Sequence, residues 1–345
     1  MKIRKNKSTG TATNNATTTI VAAMLGVMLL LFSTITTMPF GNALTATSNV
    51  AKGAGNSNNN NKVVLLTFYD NPGSQILNAK PILDQYGFKA SFFVVCNWLG
   101  KQGRMTWQDI AALQNQGQDI ESQSMNHKRL TKLSTADLDF EIGQSRKCLA
   151  DHGINSTIFA FPYGAGWDNS TVINTIAKYY ELGMGGNAPL MFLHCDGYTK
   201  DSSQKDCRTY FDNGTLTFAN RYSIREWSHT NIDKKFLFND TKIFDAFVKE
   251  VNDLPAKYNN NNNIIINGTA TRTSKAVPII SYHNIDNNRI NGSTTVDEFA
   301  KEMKYLHDKG FTVLPLSSLK YNQTANDFYL NYNGNNKNNK LGNSS

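Results

Sequence analysis

The chain has 345 residues, of which 40% are hydrophobic and 11% aromatic, so it can bury one large α/β core or two small ones. Its formal net charge of +8 arises from 35 Lys and Arg against 27 Asp and Glu, and much of the excess lies in the opening segment MKIRKNK. No stripe of basic residues is interleaved with aromatic ones. The charge therefore argues against a nucleic-acid-binding protein and for an export signal.

The basic opening segment is followed by an apolar run, IVAAMLGVMLLLF, at positions 20–32. Small residues between Ala43 and Ala46 offer cleavage positions for a signal peptidase. Because the run is shorter than the roughly 20 residues that usually span a bilayer, a cleaved signal peptide is the first interpretation and an uncleaved N-terminal membrane anchor the second. Residues 1–46 thus predict an extracellular or cell-surface protein.

Composition divides the remaining chain into three parts. Residues 47–61 end in NSNNNN and predict an Asn/Ser-rich linker, and residues 321–345 predict an Asn-rich tail. Residues 62–320 between them are predicted to form one domain. Sequons for N-glycosylation, which an Asn-rich composition also generates by chance, occur at Asn155, Asn169, Asn213, Asn239, Asn267 and Asn291.

The four cysteines show no zinc-finger spacing. Cys195 and Cys207 bracket a polar segment that has little to pack, so we expect a local disulfide there in an exported protein. Cys96 and Cys148 lie in apolar contexts and are expected to be buried thiols.

Strand and helix patterns alternate along the central domain. The strands are predicted at residues 62–68, 90–95, 119–122, 157–161, 221–224, 277–282 and 311–315, and the helices at 74–86, 107–116, 134–153, 170–180, 242–254 and 296–308. Such alternation indicates parallel strands with helical crossovers. A (β/α) barrel is favoured over an open doubly wound sheet, and no Gly-rich phosphate loop follows the first strand.

Polar residues follow four of these strands, where a parallel barrel gathers its functional side chains. The four strand ends read TFYD at residues 67–70, ESQSMNH at 121–127, AFPYG at 160–164 and SYH at 281–283. In that order, they resemble the motifs TFDD, SH(S/T)xxH, Pro-(Tyr/Phe)-Gly and a late His of the polysaccharide deacetylase family, whose domain is a distorted (β/α) barrel. The resemblance is strong over residues 62–183 and weak over 221–320.

One feature of the order differs from many relatives. There, a Tyr-His segment followed by a helix like DEFAKEMKYLHDKGF precedes the TFDD strand, whereas here it follows. This order fits a circular permutation, which barrels tolerate because their termini lie close together.

The resemblance implies a divalent metal, zinc above all, held by one Asp and two His, with a second Asp as general base and a His as general acid. Asp70 falls at the metal Asp, His127 at the second metal His and His283 at the acid. Tyr163 lies where a backbone N–H helps to stabilise the oxyanion. The implied substrate is an N-acetylated polysaccharide or cell-surface glycan, and Asp70 and His127 are expected close enough to share one ion.

Two positions depart from the family pattern. Tyr69 stands where the base Asp belongs, and Gln123 stands where the first metal His belongs. An amide oxygen is a poorer zinc donor than an imidazole nitrogen, and a phenol with a pKa near 10 does not readily accept a proton at pH 7.

The sequence therefore leaves three functions open. The first is a metal-dependent carbohydrate deacetylase with weakened activity, in which Gln123 is still the third metal ligand and Tyr69 still lies beside the reacting water. The second is a non-catalytic glycan-binding protein on the same fold, which the departures at these two positions favour. The third, a structural envelope protein, rests only on the Asn-rich segments and sequons.

Overall fold

The computed structural model describes residues 62–187, 191–192, 221–252, 264–266, 269–271, 276–289, 293–324 and 327–332. The predicted signal or anchor and the linker lie outside these residues, as do Cys195, Cys207 and the sequons at Asn213, Asn267 and Asn291. The described residues all fall in one compact unit, Asn58–Ser345.

The structure contains fourteen strands among these residues. In chain order they are β1 (Val63–Phe68), β2 (Ser91–Val94), β3 (Asp119–Ser122), β4 (Ile158–Ala160), β5 (Leu182–Asn187), β6 (Met191–Phe192), β7 (Ile224–Ser228), β8 (Ile264–Ile266), β9 (Thr269–Thr271), β10 (Ala276–Val277), β11 (Ile279–Tyr282), β12 (Thr312–Pro315), β13 (Leu319–Asn322) and β14 (Asp327–Tyr332).

Seven parallel strands close into a barrel, which confirms the predicted fold class. Their order is β11-β7-β5-β4-β3-β2-β1, and β1 pairs in turn with β11. The late strand β11 thus lies directly beside the first. Strand β12 also pairs parallel with β1, along residues Val63 to Leu66. Strand β1 pairs with β11 along one edge and with β2 along part of the other edge. β12 pairs with the part of that second edge that β2 does not cover.

A second sheet extends past the predicted end of the domain. Its strands run β13-β14-β8-β9, with β14 antiparallel to β13 and parallel to β8. The tail predicted from residue 321 is therefore wrong in its first part, because β13 and β14 form a hairpin there. Phe328 and Leu330 of β14 are buried, and this apolar face anchors the hairpin to the domain.

Helices connect the strands as the alternation predicts. They are α1 (Lys80–Tyr86), α2 (Trp107–Asn115), α3 (Thr135–Asp139), α4 (Ser145–Ala150), α5 (Ser170–Ile176), α6 (His229–Lys235), α7 (Asp240–Asn252) and α8 (Val296–Asp308). One π-helical turn, Gln75–Ala79, leads into α1, and another, Phe140–Gln144, joins α3 to α4. Within the described ranges, no helix is both long and apolar enough to cross a membrane.

Local sequence signals explain where these helices begin and end. Thr106 and Asp109 form a capping box at the start of α2, and Thr295 and Glu298 form one at the start of α8. Gly87 ends α1 with a left-handed φ of 68°, which a residue without a Cβ adopts at little cost. The helix predicted from Ser134 begins as expected.

The core has an inner and an outer part, as strand alternation requires. Inside the barrel lie side chains such as Leu65, Phe93 and Ile279. The opposite faces pack against the helices, where Phe68 stacks on Phe92 with a ring-centroid distance of 4.8 Å. The barrel is therefore a filled core whose upper rim is left to carry chemistry.

Cys96 and Cys148 form a disulfide, with their Cα atoms 6.6 Å apart. The expectation of two buried thiols is wrong, because β2 and α4 place these cysteines side by side although 52 positions separate them. The apolar context of each cysteine gave no signal of its partner. A disulfide that closes a loop of this length typically stabilises a folded domain by about 2–4 kcal/mol.

Candidate active site

A cleft of about 540 Å³ opens at the carboxyl ends of the barrel strands. It is lined by Tyr69, Asp70, Gln123, His127, Phe161, Tyr163, Gly164, Trp167, Met184, Gly185, Glu226, Ser228, Thr230, Asn231 and His283. All six site residues that the sequence predicts are therefore brought together in one cleft. Their catalytic and metal-binding roles stay predictions.

The backbone at this rim is strained at several positions. Asp70, His127 and Tyr163 have φ values of 68°, 59° and 61°, in the left-handed region that residues with a Cβ seldom adopt. Such conformations persist only where surrounding contacts hold them, and they cluster at functional sites. At Asp70, the guanidinium of Arg104 donates to the carbonyl oxygen at 2.6 Å. The side chain of Asn71 accepts from the backbone N–H of Val95 at 3.0 Å.

The side-chain amide of Gln123 connects Asp70 with His127. Its nitrogen donates to Oδ1 of Asp70 at 2.9 Å and lies 3.0 Å from Nε2 of His127. Its oxygen accepts from the backbone N–H of Asp70 at 2.9 Å. Oδ1 of Asp70 is itself 3.3 Å from Nε2 of His127, so the two side chains lie as close as the sequence predicts.

These three side chains do not fit a divalent cation in the arrangement they have. A catalytic zinc site takes three protein donors, usually with at least one thiolate or imidazole among them. Here one carboxylate oxygen and one imidazole nitrogen face the amide nitrogen of Gln123, which is a hydrogen-bond donor, while the amide oxygen is engaged by Asp70. Among the described residues, no group of three or more His, Cys, Asp and Glu side chains is arranged to hold a metal ion.

Tyr69 contacts a carboxyl group on β7 that the sequence analysis did not identify. Its hydroxyl donates to Oε2 of Glu226 at 2.5 Å, and its ring is sandwiched between Phe93, at a centroid distance of 5.0 Å, and His283, at 5.4 Å. Burial raises the pKa of the Glu226 carboxyl to about 7, although the hydrogen bond from Tyr69 lowers it. Burial, together with the charge of Glu226, raises the pKa of Tyr69 well above 10.

His283 lies at the end of β11 with one ring nitrogen engaged. Its Nδ1 is 3.1 Å from the hydroxyl of Thr230, and its carbonyl oxygen accepts from Gln75 at 2.8 Å. Burial lowers the pKa of His283, with Asp70 acting in the opposite direction. The lowered pKa favours the neutral imidazole, which has one ring nitrogen able to accept a proton.

Aromatic and basic side chains form one rim of the cleft. The ring of Tyr163 is 60% exposed, lies 4.5 Å from that of His127 and carries the guanidinium of Arg129 at 5.0 Å. Trp167 lines the cleft, whereas Trp227 is buried. The prediction that the tryptophans are core or rim residues is consistent with both positions.

Sequence reasoning missed Glu226 and Thr230 because it ended the strand that corresponds to β7 too early. The strand was placed at residues 221–224, whereas β7 runs from Ile224 to Ser228. With the longer strand, alternation puts Ile224, Glu226 and Ser228 on the inner face, and the cleft position of Glu226 follows. The continued β-type run in IREWS was the available signal.

Part of the chain matches a known protein family. Residues 56–184 match the family described as "Polysaccharide deacetylase". The candidate polysaccharide deacetylase YxkH of Bacillus subtilis (strain 168) is 28% identical over 125 residues, which are 36% of this chain and 44% of YxkH. A bifunctional xylanase/deacetylase of Pseudobutyrivibrio xylanivorans is 26% identical over 35% of this chain and 20% of that protein.

A solved structure of a family 4 carbohydrate esterase from Streptomyces lividans, in complex with acetate, is 17% identical, with a TM-score of 0.43, over 73% of this chain and 92% of that chain. The chain spans less than half the length of the two curated relatives it matches. The matched segment contains β1 to β4 and most of the cleft residues. Residues 56–184, which include Asp70 and His127, are thus similar to the polysaccharide deacetylase family.

Proposed function

We propose that this protein binds an N-acetylated polysaccharide in the strand-end cleft and hydrolyses its N-acetyl amide groups slowly. The observation that carries the proposal is the position of His283. This residue lies outside the family match, yet it shares one cleft with His127 and Tyr163 from within the match. A polar cleft with a positioned imidazole is what amide hydrolysis requires from the protein.

The chemistry can be written with the side chains of this chain. Neutral His283 accepts a proton from water at Nε2 while the water oxygen adds to the acetamide carbonyl, and Thr230 holds the ring at Nδ1. The same imidazolium then donates that proton to the departing amine as the carbon–nitrogen bond breaks. Water and amide are thereby converted to acetic acid and amine, the acid releases its proton to give acetate, and the imidazole returns to its starting state.

The remaining cleft residues support binding and charge stabilisation. The backbone N–H of Tyr163 is the expected donor to the developing oxyanion. The exposed face of the Tyr163 ring offers an apolar surface on which a sugar ring can stack. The protein therefore supplies orientation and proton transfer, and the missing base at Tyr69 makes the expected rate low.

A second candidate is glycan binding without turnover. The observation in its favour is that the polar groups of Asp70, Gln123 and His127 are satisfied by one another. Groups satisfied in this way hold a cleft in shape but do not activate water.

We also propose that the protein is exported to the cell surface or the extracellular space. The basic and apolar N-terminal pattern supports this, as does the disulfide between Cys96 and Cys148, because disulfides persist in oxidising compartments. The sequons at Asn155, Asn169 and Asn239 would then be accessible to a glycosylation system.

The decisive experiment measures acetate release from N-acetylated chito-oligosaccharides by the purified full chain. We expect slow release that persists as the pH falls through 6.5 and declines only at lower pH, since His283 must be neutral and burial lowers its pKa from 6.5. His283→Ala should lower the rate by about 100- to 10,000-fold, and His307→Ala on the surface should leave it unchanged. Unchanged release by His283→Ala would contradict the proposal, and oligosaccharide binding without acetate release would select the second candidate.

A further inference from the structure

We infer that the side-chain amide of Gln123 occupies the position between Asp70 and His127 at which a metal ion would bind, so that this chain assembles its cleft without a divalent metal. The amide nitrogen is within 3.0 Å of one oxygen of Asp70 and of Nε2 of His127. Those two atoms, a carboxylate oxygen and an imidazole nitrogen, are of the types that bind zinc. They converge on an N–H donor that supplies the hydrogen bonds they require.

The orientation of the amide is fixed by the backbone. The N–H of Asp70 can only donate, so the group that faces it at 2.9 Å must be the oxygen of Gln123. The NH₂ group is then directed to the carboxylate and the imidazole, and each of its two protons has an acceptor. Rotation of the amide by 180° would place its oxygen against the Asp70 carboxylate and would leave two N–H groups facing each other.

The same argument fixes the tautomer of His127. Because the amide nitrogen donates to Nε2, that nitrogen carries the lone pair and the ring proton lies on Nδ1. The imidazole ring of His127 is buried, and it packs against the rings of Trp98, at a centroid distance of 4.9 Å, and of Tyr163. His127 is therefore preorganised as an acceptor for the amide rather than left open for an ion.

Metal binding would have to displace this arrangement. An ion between Asp70 and His127 would take the acceptors of both amide protons, and Gln123, which is 97% buried, could not turn outward to water. If Gln123 instead turned its oxygen towards the ion, the N–H of Asp70 would lose its acceptor. At Asp70, the φ of 68° and the hydrogen bond from Arg104 further restrict any backbone adjustment.

Zinc binding to the full chain tests this inference without reference to activity. The protein is stripped with EDTA, and zinc is added in a calorimetric titration and in a thermal-unfolding series. We expect no stoichiometric zinc binding to the cleft and no change of melting temperature with either zinc or EDTA. Stoichiometric zinc that is lost in the Asp70→Asn variant would overturn the inference.

Two substitutions at the same position show whether the amide is what keeps zinc out. Gln123→His should create a site of one carboxylate and two imidazoles, bind one zinc at least 100-fold more tightly than the native chain and melt at a higher temperature with zinc. Gln123→Glu is isosteric but cannot donate to Asp70, so it should melt lower without zinc and be rescued by it. The matched control is Gln116→His, on the surface at the end of α2, which should not gain a site.

The outcomes separate this inference from the proposed hydrolysis. Zinc binding gained by Gln123→His or Gln123→Glu, and not by the native chain, supports the inference whether or not the native protein releases acetate. Failure of both folded variants to bind zinc would overturn it, since the amide would then not be the obstacle. Acetate release by a zinc-free native chain would support both proposals together.

Discussion

The hydroxyl of Tyr69, at the end of β1, donates a hydrogen bond at 2.5 Å to the carboxylate of Glu226 on β7, from which β1 is separated by β11. The family motif places a carboxylate at the position of Tyr69, and this chain instead carries one on β7, among the residues that line the cleft. Glu226 is thus a partly buried acid whose protonation affects stability, and the substitution of one partner changes the environment of the other.

Glu226→Gln should remove a pH dependence of stability. The folded pKa of Glu226 is about 7, above its ordinary value of 4.5, so the folded state holds a proton that the unfolded state has released between these pH values. The free energy of unfolding therefore falls as pH rises from about 4.5 to about 7, by on the order of 3 kcal/mol from this group. Urea unfolding at pH 5 and pH 8 measures the effect.

The comparison between variants isolates Glu226 from other buried acids. The free energy of unfolding of Glu226→Gln minus that of the native protein should be larger at pH 8 than at pH 5. For the surface change Glu181→Gln, the same difference should be equal at both pH values. A constant difference between native protein and Glu226→Gln across this pH range would contradict the prediction.

His229→Gln should destabilise the protein strongly at neutral pH. The fully buried imidazole lies 2.9 Å from Glu302 and 3.2 Å from Asp233, and Tyr282 donates to the other oxygen of Glu302 at 2.7 Å. Removing the charge leaves two buried carboxylates without their cation, which costs about 3–5 kcal/mol. Urea unfolding at pH 7 measures this loss, and His307→Gln on the surface is the control.

The same histidine predicts an alkaline loss of stability. Burial lowers the pKa of His229, but the carboxylates of Glu302 and Asp233 outweigh it and raise the pKa to about 10. A raised pKa stabilises the folded state fully below the unfolded value of 6.5 and progressively less as pH rises towards 10. Stability of the native chain should therefore decline over this range more steeply than that of His229→Gln. If the free energy of unfolding depended on pH in the same way for the native chain and for His229→Gln, the raised pKa of His229 would be refuted.

Loss of the Cys96–Cys148 disulfide should lower the free energy of unfolding by about 2–4 kcal/mol. Paired substitution of both cysteines by Ser, followed by urea unfolding, measures the effect. Substitution of Cys195 and Cys207 by Ser is the parallel experiment, which also tests the local disulfide that the sequence predicts there. Peptide mapping that finds Cys96 and Cys148 as free thiols would refute the pairing.

The combined variant Tyr69→Asp with Gln123→His should gain deacetylase activity in the presence of zinc. The histidine supplies a third metal donor, and the aspartate supplies a general base, which is worth roughly 100- to 10,000-fold in rate. Acetate release from chito-oligosaccharides is the measurement, with each single variant as a control.

A folded double variant that binds zinc and still releases no acetate would count against this prediction. It would locate the deficiency elsewhere in the cleft, at His283 or in the substrate-binding rim. A native chain as active as relatives that retain both motif residues would show that Tyr69 and Gln123 are not impairing substitutions.

The sequence by itself predicted the parallel barrel and six of the residues that line the cleft. Alternating strand and helix patterns require parallel strands, and side chains that follow such strands meet at one end, so Asp70 and His283 could be placed together without coordinates. These are local signals, because periodicity and capping are read from neighbouring residues.

Only the tertiary structure decided which polar side chains form hydrogen bonds with each other and which cysteines pair. That Gln123 directs its nitrogen between Asp70 and His127, that Tyr69 meets Glu226 and that Cys96 meets Cys148 depend on distances between segments far apart in the chain. A residue type states what a side chain can donate or accept. Which partner it finds is fixed only when the strands close into the barrel and bring particular atoms within hydrogen-bonding distance.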